Sequence, residues 1–216
     1  MHLRFAFAVS AIMSAVSAVS AFADTVDMRF LGTGIGRTVT ITTPSRTLNV
    51  VAGQLRHAFS NGTGAASVLN GELITYCTDV NQFVSSTVRN YTVVPVGQAP
   101  SGQAMGSEKA SAVAAIFAAA GGTQFTSTVS ADLACAFQLA IWEVVNDYDP
   151  SVGLASLSLS SGTFRATQMT GSAVWSSVDT LFNGLLANVG KVSFTSGGIM
   201  AIASPTYQDQ LVSVPA

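Results

Sequence analysis

From Asp24 to about Val96, apolar and polar positions mostly alternate, which is the pattern of strands with one buried face. Thr38-Val39-Thr40-Ile41-Thr42 shows it most plainly, and Leu48 to Phe59, Leu73 to Asp79 and Val88 to Val96 are rich in β-branched and aromatic residues. Turn signals divide these runs. Gly32, Gly34 and Gly36 mark a glycine-rich turn in the first, Pro44-Ser45 follows it, and Asn61-Gly62-Thr63-Gly64 closes the next. Pro95 to Gly106 reads as a surface loop leading into a different pattern. Ser107 is placed to cap a helix over Ala110 to Ala120, with Glu108 in its first turn and Gly121-Gly122 as its stop. Ser130 caps a second, Ala131 to Val145, with Asp132 near its positive end and Asn146-Asp147 and Pro150 beyond it. A third, Ala173 to Asn188, sets Trp175, Val178, Leu181, Phe182 and Leu185 at helical spacing. Leu157-Ser158-Leu159, Val192 to Ile202 and Tyr207 to Val214 return to strand-like composition. The expectation is a single α+β domain over residues 24–216, a β-sandwich or barrel-like sheet assembly with an inserted block of about three helices.

The first 23 residues follow another pattern. His2 and Arg4 precede an apolar stretch from Phe5 to Val19 broken only by serines, and Ala21-Phe22-Ala23 has the small-x-small form of a signal-peptidase site. Residues 1–23 are therefore expected to be a signal peptide, removed after Ala23. Beyond it no apolar run approaches the roughly 20 residues that a membrane-crossing helix needs. The composition agrees with export. The chain is 49% hydrophobic but only 9% charged, with 26 Ser and 21 Thr, so hydroxyls rather than ions supply its polarity. A net charge of -2 leaves no basic surface for nucleic acid.

Several motifs carry less than their form suggests. The Gly32-x-Gly34-x-Gly36 spacing lacks the following helix of a dinucleotide loop, since Thr38 to Thr42 continues as strand. His57, the one histidine left after cleavage, excludes a multi-histidine metal site and is expected half-exposed on a sheet face. Asp147-x-Asp149 reads as a helix-terminating turn, without the full set of a calcium loop. Asn61-Gly62-Thr63 and Asn90-Tyr91-Thr92 match the glycosylation sequon, whose meaning depends on the host. No metal or cofactor is expected.

The second helix holds the most informative anomaly. Cys135, Gln138 and Trp142 share one face of it, while Phe137, Ile141 and Val144 line another, so most of the cylinder is apolar and should be buried. Gln138 thus sits where an unpartnered carboxamide costs a few kcal/mol. Something must bond it, either hydrogen bonds that stitch helix to sheet or a covalent link.

The segment Cys135-Ala136-Phe137-Gln138-Leu139-Ala140-Ile141-Trp142-Glu143-Val144, with Tyr76-Cys77-Thr78-Asp79 upstream, resembles the thioester domains of bacterial surface proteins. There an aromatic-Cys-x-Asp/Glu strand precedes a Gln-x-Ala-Ile-Trp helix. The likeness is greater to secreted Gram-negative relatives with PEP-CTERM or VPLPA-type sorting tails. Ala52-Gly53-Gln54-Leu55, Ser161-Gly162-Thr163-Phe164 and Gln208-Asp209-Gln210-Leu211-Val212 also fit those relatives, which continue from a Val-Pro ending into a sorting tail. The resemblance implies an internal thioester between Cys77 and Gln138, with Tyr76, Asp79 and Trp142 around it. It further implies a non-enzymatic protein, secreted or at the surface of a bacterium of the Gram-negative kind, that attaches covalently to amines or hydroxyls of a cell-surface or matrix protein or glycan.

Cys135 complicates this expectation. It lies one helical turn before Gln138, about 5 to 6 Å away on the same surface. In an oxidising compartment two cysteines of a secreted domain ordinarily pair, so a Cys77–Cys135 disulfide in a structural or interaction protein is the alternative. Thioester and disulfide exclude each other because both use the Cys77 sulfur. A hydrolase pairing a cysteine with His57 is a third class, without a recognisable nucleophile motif.

Overall fold

A computed structural model of the protein describes residues 24–191 and 198–214. The expected signal peptide, residues 1–23, and the first part of the strand expected over Val192 to Ile202 lie outside the described residues. The elements run β1 (Thr25–Thr43), β2 (Arg46–Ser60), β3 (Gly71–Cys77), β4 (Arg89–Val94), α1 (Gly106–Ala119), α2 (Ala131–Asp147), β5 (Arg165–Gln168), α3 (Ser176–Asn188), β6 (Gly198–Ala203) and β7 (Gln210–Val214), with short 3-10 turns between them. The fold is α+β, with the helical block inserted between β4 and β6.

All strand pairings are antiparallel. The order β2-β3-β7-β6-β4-β1-β5, with a further pairing of β2 to β1, closes six strands into a ring and leaves β5 on the distal half of β1. The expected barrel-like assembly is therefore present, and closure removes the open edges that a six-stranded sheet would otherwise expose. Val26, Met28, Phe59, Tyr91, Val93, Ile202 and Val212, from five of these strands, form a smaller core. The larger core joins the sheet to the helices. No helix among the described residues is long and apolar enough to cross a membrane.

The glycine triplet is corrected by the structure. β1 passes through Gly32, Gly34 and Gly36 as one strand, and the chain turns only at Pro44-Ser45. Register shifts against β2 fall between Phe30 and Gly32 and between Thr33 and Gly36. These are bulges, where an extra residue bends the strand. Gly36 faces Gly53, whose φ is +150°, and a Cβ on Gly53 would lie 2.4 Å from the Ile35 carbonyl oxygen. The absence of side chains here lets the bent strands cross closely.

The helices differ in detail from expectation. α1 starts at Gly106, before Ser107, and its N-cap Met105 makes no side-chain cap bond. Ser130 does cap α2, its hydroxyl accepting from the Leu133 N–H at 3.1 Å. α3 starts three residues later than the spacing implied, because Trp175 is its N-cap and stacks under the Arg37 guanidinium at 4.8 Å. Leu157 and Leu159 are buried core anchors in a loop and not a strand, whereas β5 follows them unforeseen.

α2 positions the candidate site. Every residue from Ala134 to Val144 is buried, so the helix is enclosed on all sides by the sheet, α1 and α3. Its good helix formers, its Ser130 cap and Asp132 in the first turn define it locally. Packing then fixes its rotation, and with it the direction of Gln138.

Candidate functional site

Cys77 is the last residue of β3. On one edge it faces Gln210 of β7. On the other edge, pairing with β2 ends at Leu55 opposite Thr75. Continued register would bring residue 53 opposite Cys77, but Gly53 is drawn into the crossing with Gly36. The Gln138 carboxamide takes the missing strand's place. The Cys77 N–H donates to Gln138 Oε1 at 2.9 Å, and Gln138 Nε2 donates to the Cys77 carbonyl oxygen at 2.8 Å. Gln138 is only 1% exposed and both ends of its amide are paired, which answers the demand that its position posed.

The Cys77 sulfur is as enclosed as the amide. Its thiol donates to the Asp79 carbonyl oxygen at 2.8 Å. Burial, above all, pushes the thiol well above its ordinary value; the Trp142 side chain pulls the other way, while the Asp79 charge adds to the rise. Trp142 Nε1 stands beside the sulfur, at a geometry short of a full hydrogen bond, and has no other partner. Cys77, Gln138 and Trp142 line one cavity of about 210 Å³, whose other walls include Phe30, Ile41 and Val50. Sulfur and carboxamide thus share a mainly apolar space in which water competes poorly.

The other expected residues play different parts. Tyr76 neighbours Cys77 on β3 and so faces the opposite side of the sheet. Its hydroxyl donates to the Gln124 carbonyl oxygen at 2.7 Å, and its ring meets Phe137 edge-on at 4.8 Å. Tyr76 therefore seats α2 on β3 without touching the amide. Tyr76→Phe is expected to lower stability by about 1 kcal/mol in urea unfolding and to leave the chemistry of Cys77 intact. Asp79 contributes its backbone carbonyl, while its buried carboxylate accepts from the Asn81 N–H at 2.6 Å.

Cys77 and Cys135 are both buried and free. Burial pushes the Cys135 thiol to about 12, and the charges acting on it are those of Arg37 and Asp132. The Cys77 side chain shares with Thr75 the face of β3 opposite Tyr76.

His57 is corrected. It is 1% exposed, and its Nδ1 lies 2.9 Å from the Thr75 hydroxyl, which itself donates to Gln210 Oε1 at 3.0 Å. Thr75 has one proton to give, so His57 Nδ1 must be the donor in that pair. Nε2 is left without a partner, and burial lowers the imidazole to about 4. Alternation explained its side-chain direction, but the closed ring covers the face it points to, while Arg56 beside it stays exposed on the other.

Glu143 was missed. It is fully buried on α2, its Oε2 accepts from the Ser158 N–H at 3.3 Å, and Oε1 has no partner. Burial raises its carboxyl to about 8. A lone charge inside an apolar helical run was the available signal. The Asp147 carboxylate accepts from the Thr163 and Phe164 N–H groups at 3.1 and 2.8 Å, so it ties down the chain after α2. The sequon asparagines, Asn61 and Asn90, both donate to the Asp27 carboxylate, at 2.8 and 3.0 Å.

Gln54 donates to the Gln124 and Thr126 carbonyls at 2.8 and 2.7 Å, Phe164 packs on Trp142 at 6.1 Å, and Gln208 lines the Cys77 cavity. Comparison of the chain with protein-family models, curated proteins and solved structures finds no match in any of the three.

Proposed function

We propose that the protein is an exported bacterial surface or matrix domain that forms a thioester between Cys77 and Gln138 and uses it to attach covalently to an amine or hydroxyl on another surface. One observation carries this reading: the Gln138 carboxamide is held by two hydrogen bonds against the backbone of Cys77, inside the apolar cavity that both residues line. The amide is a poor electrophile, and fixed proximity offsets much of that deficiency. As sulfur attacks Cδ, negative charge grows on Oε1, where the Cys77 N–H already donates. The S–C bond forms, the C–N bond breaks, and the thiol proton leaves with the amide nitrogen as ammonia.

Attack on the thioester carbonyl by an external amine then forms an amide and breaks the C–S bond. The amine proton returns to sulfur, leaving Cys77 as a free thiol. Each molecule acts once, so the role is attachment and not turnover. A Gram-negative source and a protein or glycan partner follow from the resemblance alone.

Intact mass spectrometry of exported, unreduced protein tests the reading. The expected mass is lower than that of the mature chain by one ammonia, and methylamine should add its own mass, leaving the chain one CH2 heavier than the mature chain and exposing an alkylatable Cys77. Loss of two hydrogens would instead report the Cys77–Cys135 disulfide, and an unchanged mass with two free thiols would overturn both. Cys135→Ser is expected to keep the ammonia loss in full, since Cys135 makes no bond to the pair; its disappearance in that variant would count against the assignment.

A further inference from the structure

Cys77 is 2% exposed, Gln138 1% and Trp142 4%, so a group borne on another surface has little access to the Gln138 carbonyl while the walls of the cavity stay in place. Three kinds of wall line it. Ile41 and Val50 belong to the paired strands β1 and β2, and Gln138 and Trp142 belong to the fully enclosed part of α2. The remaining stretch, Val80 and Gln82 to Val84, lies in the segment between β3 and β4, which has no helix or strand of its own. This segment can be displaced without breaking the sheet or unpacking α2.

Gln208 contributes more hydrogen bonds to this segment than any other residue, beside the Gln82 side chain's donation to the Pro205 carbonyl at 3.1 Å and the Cys77 thiol's to the Asp79 carbonyl. Gln208 Nε2 donates to the carbonyl oxygens of Asp79 and Gln82, both at 3.1 Å, and the Gln208 N–H donates to the Phe83 carbonyl at 3.1 Å. Gln208 also lines the cavity. Its amide is oriented in turn, since Gln210 Nε2 donates to Gln208 Oε1 at 3.1 Å and Gln210 is fixed by the Thr75 hydroxyl. From the opposite side Arg46 donates to the Val80 carbonyl and lies over the Phe83 ring at 5.6 Å. Phe83 is 69% exposed, so it contributes little burial to keep the segment shut.

We propose that residues 79–84 form the lid over the Cys77–Gln138 pair and that Gln208 is the positioning residue that latches it, thereby setting how fast a nucleophile reaches the acyl carbon. The proposal rests on the thioester reading for its chemistry and on the hydrogen bonds above for its geometry. The same latch that slows capture also protects the thioester from water. Gln208 acts through the lid and touches neither reacting bond.

The test is the rate of thioester opening by methylamine in the exported full chain, wild type against Gln208→Leu, with Cys135 alkylation followed in the same samples. Leucine keeps the bulk and the backbone N–H but removes both side-chain donors. Opening is expected about tenfold faster, with faster amide exchange confined to residues 79–84 and Cys135 labelling unchanged. An unchanged rate overturns the latch, and so does a rise at Cys77 matched by an equal rise at Cys135, which would mean general loosening. In wild type alone, exchange at 80–84 as slow as in α2 also overturns the lid, so the proposal does not depend on the variant folding. If the mass shows no thioester, that result falls on the proposed chemistry. The lid is then read from iodoacetamide labelling of Cys77, where equal rates in the two proteins would refute it.

Discussion

Replacing Gln138 with leucine is expected to abolish the ammonia loss and to destabilise the fold by about 2 to 6 kcal/mol. Leucine is close in size, so the loss comes from the groups it leaves bare. The Cys77 N–H and C=O have no strand beside them on that edge, and both would remain buried without partners. Each such group costs roughly 1 to 3 kcal/mol. Because the thioester itself cross-links strand to helix, the comparison belongs in a Cys77→Ser background. That change keeps the intact amide and both hydrogen bonds. Urea unfolding of Cys77→Ser against the Cys77→Ser/Gln138→Leu double variant isolates the hydrogen-bond contribution. A difference below about 0.5 kcal/mol would show that the backbone of Cys77 does not rely on the amide.

Stability is expected to peak between about pH 4.5 and 6.5 and to fall by about 2 kcal/mol from pH 6.5 to 8. Two buried groups with opposite signs produce this shape. Glu143 is raised from 4.5 to about 8, so the folded state favours the protonated acid. Its contribution is fully present below the unfolded value and is lost as pH rises through the folded one. His57 is lowered from 6.5 to about 4, so its contribution is fully present above pH 6.5 and is lost as pH falls toward 4. The two slopes oppose each other where they overlap, which leaves the Glu143 slope alone between 6.5 and 8. Asp209, also raised chiefly by burial, adds to the fall in the same sense at lower pH. Glu143→Gln should flatten the alkaline side while preserving the acid side. Urea unfolding across this range decides it, and a wild-type profile flat from pH 6.5 to 8 would show that Glu143 is not held neutral.

Much of the architecture around these residues was legible locally. Period-two alternation in β1 and β2, the Pro44-Ser45 turn, the Ser130 cap and the apolar run of α2 are short-range features whose physics lies within a few neighbours. The expectation that Gln138 is buried and must be bonded also followed from helical spacing alone. The misreadings have a common cause. The glycine triplet looked like a turn because glycine frees the backbone, but that freedom serves a bulge and a close strand crossing. His57 was expected half-exposed because alternation gives a direction and not what lies in that direction.

The chain alone therefore specified the succession of strands and helices, the enclosed helix, and a glutamine and two cysteines placed in its apolar core. These depend on residue type and spacing, which short-range sterics and burial translate directly. It did not specify which atoms the glutamine meets. Gly53 leaves the register of β3 only because β1 and β2 bend together, and the vacancy it leaves beside Cys77 exists only once the six-stranded ring has closed. The two cysteines, one turn and one strand residue from the same amide, are both buried and unpaired in the closed structure. Pairings between residues as far apart as Thr75 and Val212 set these relations, because long-range closure, and not local preference, determines where a strand ends and what fills the space beside it.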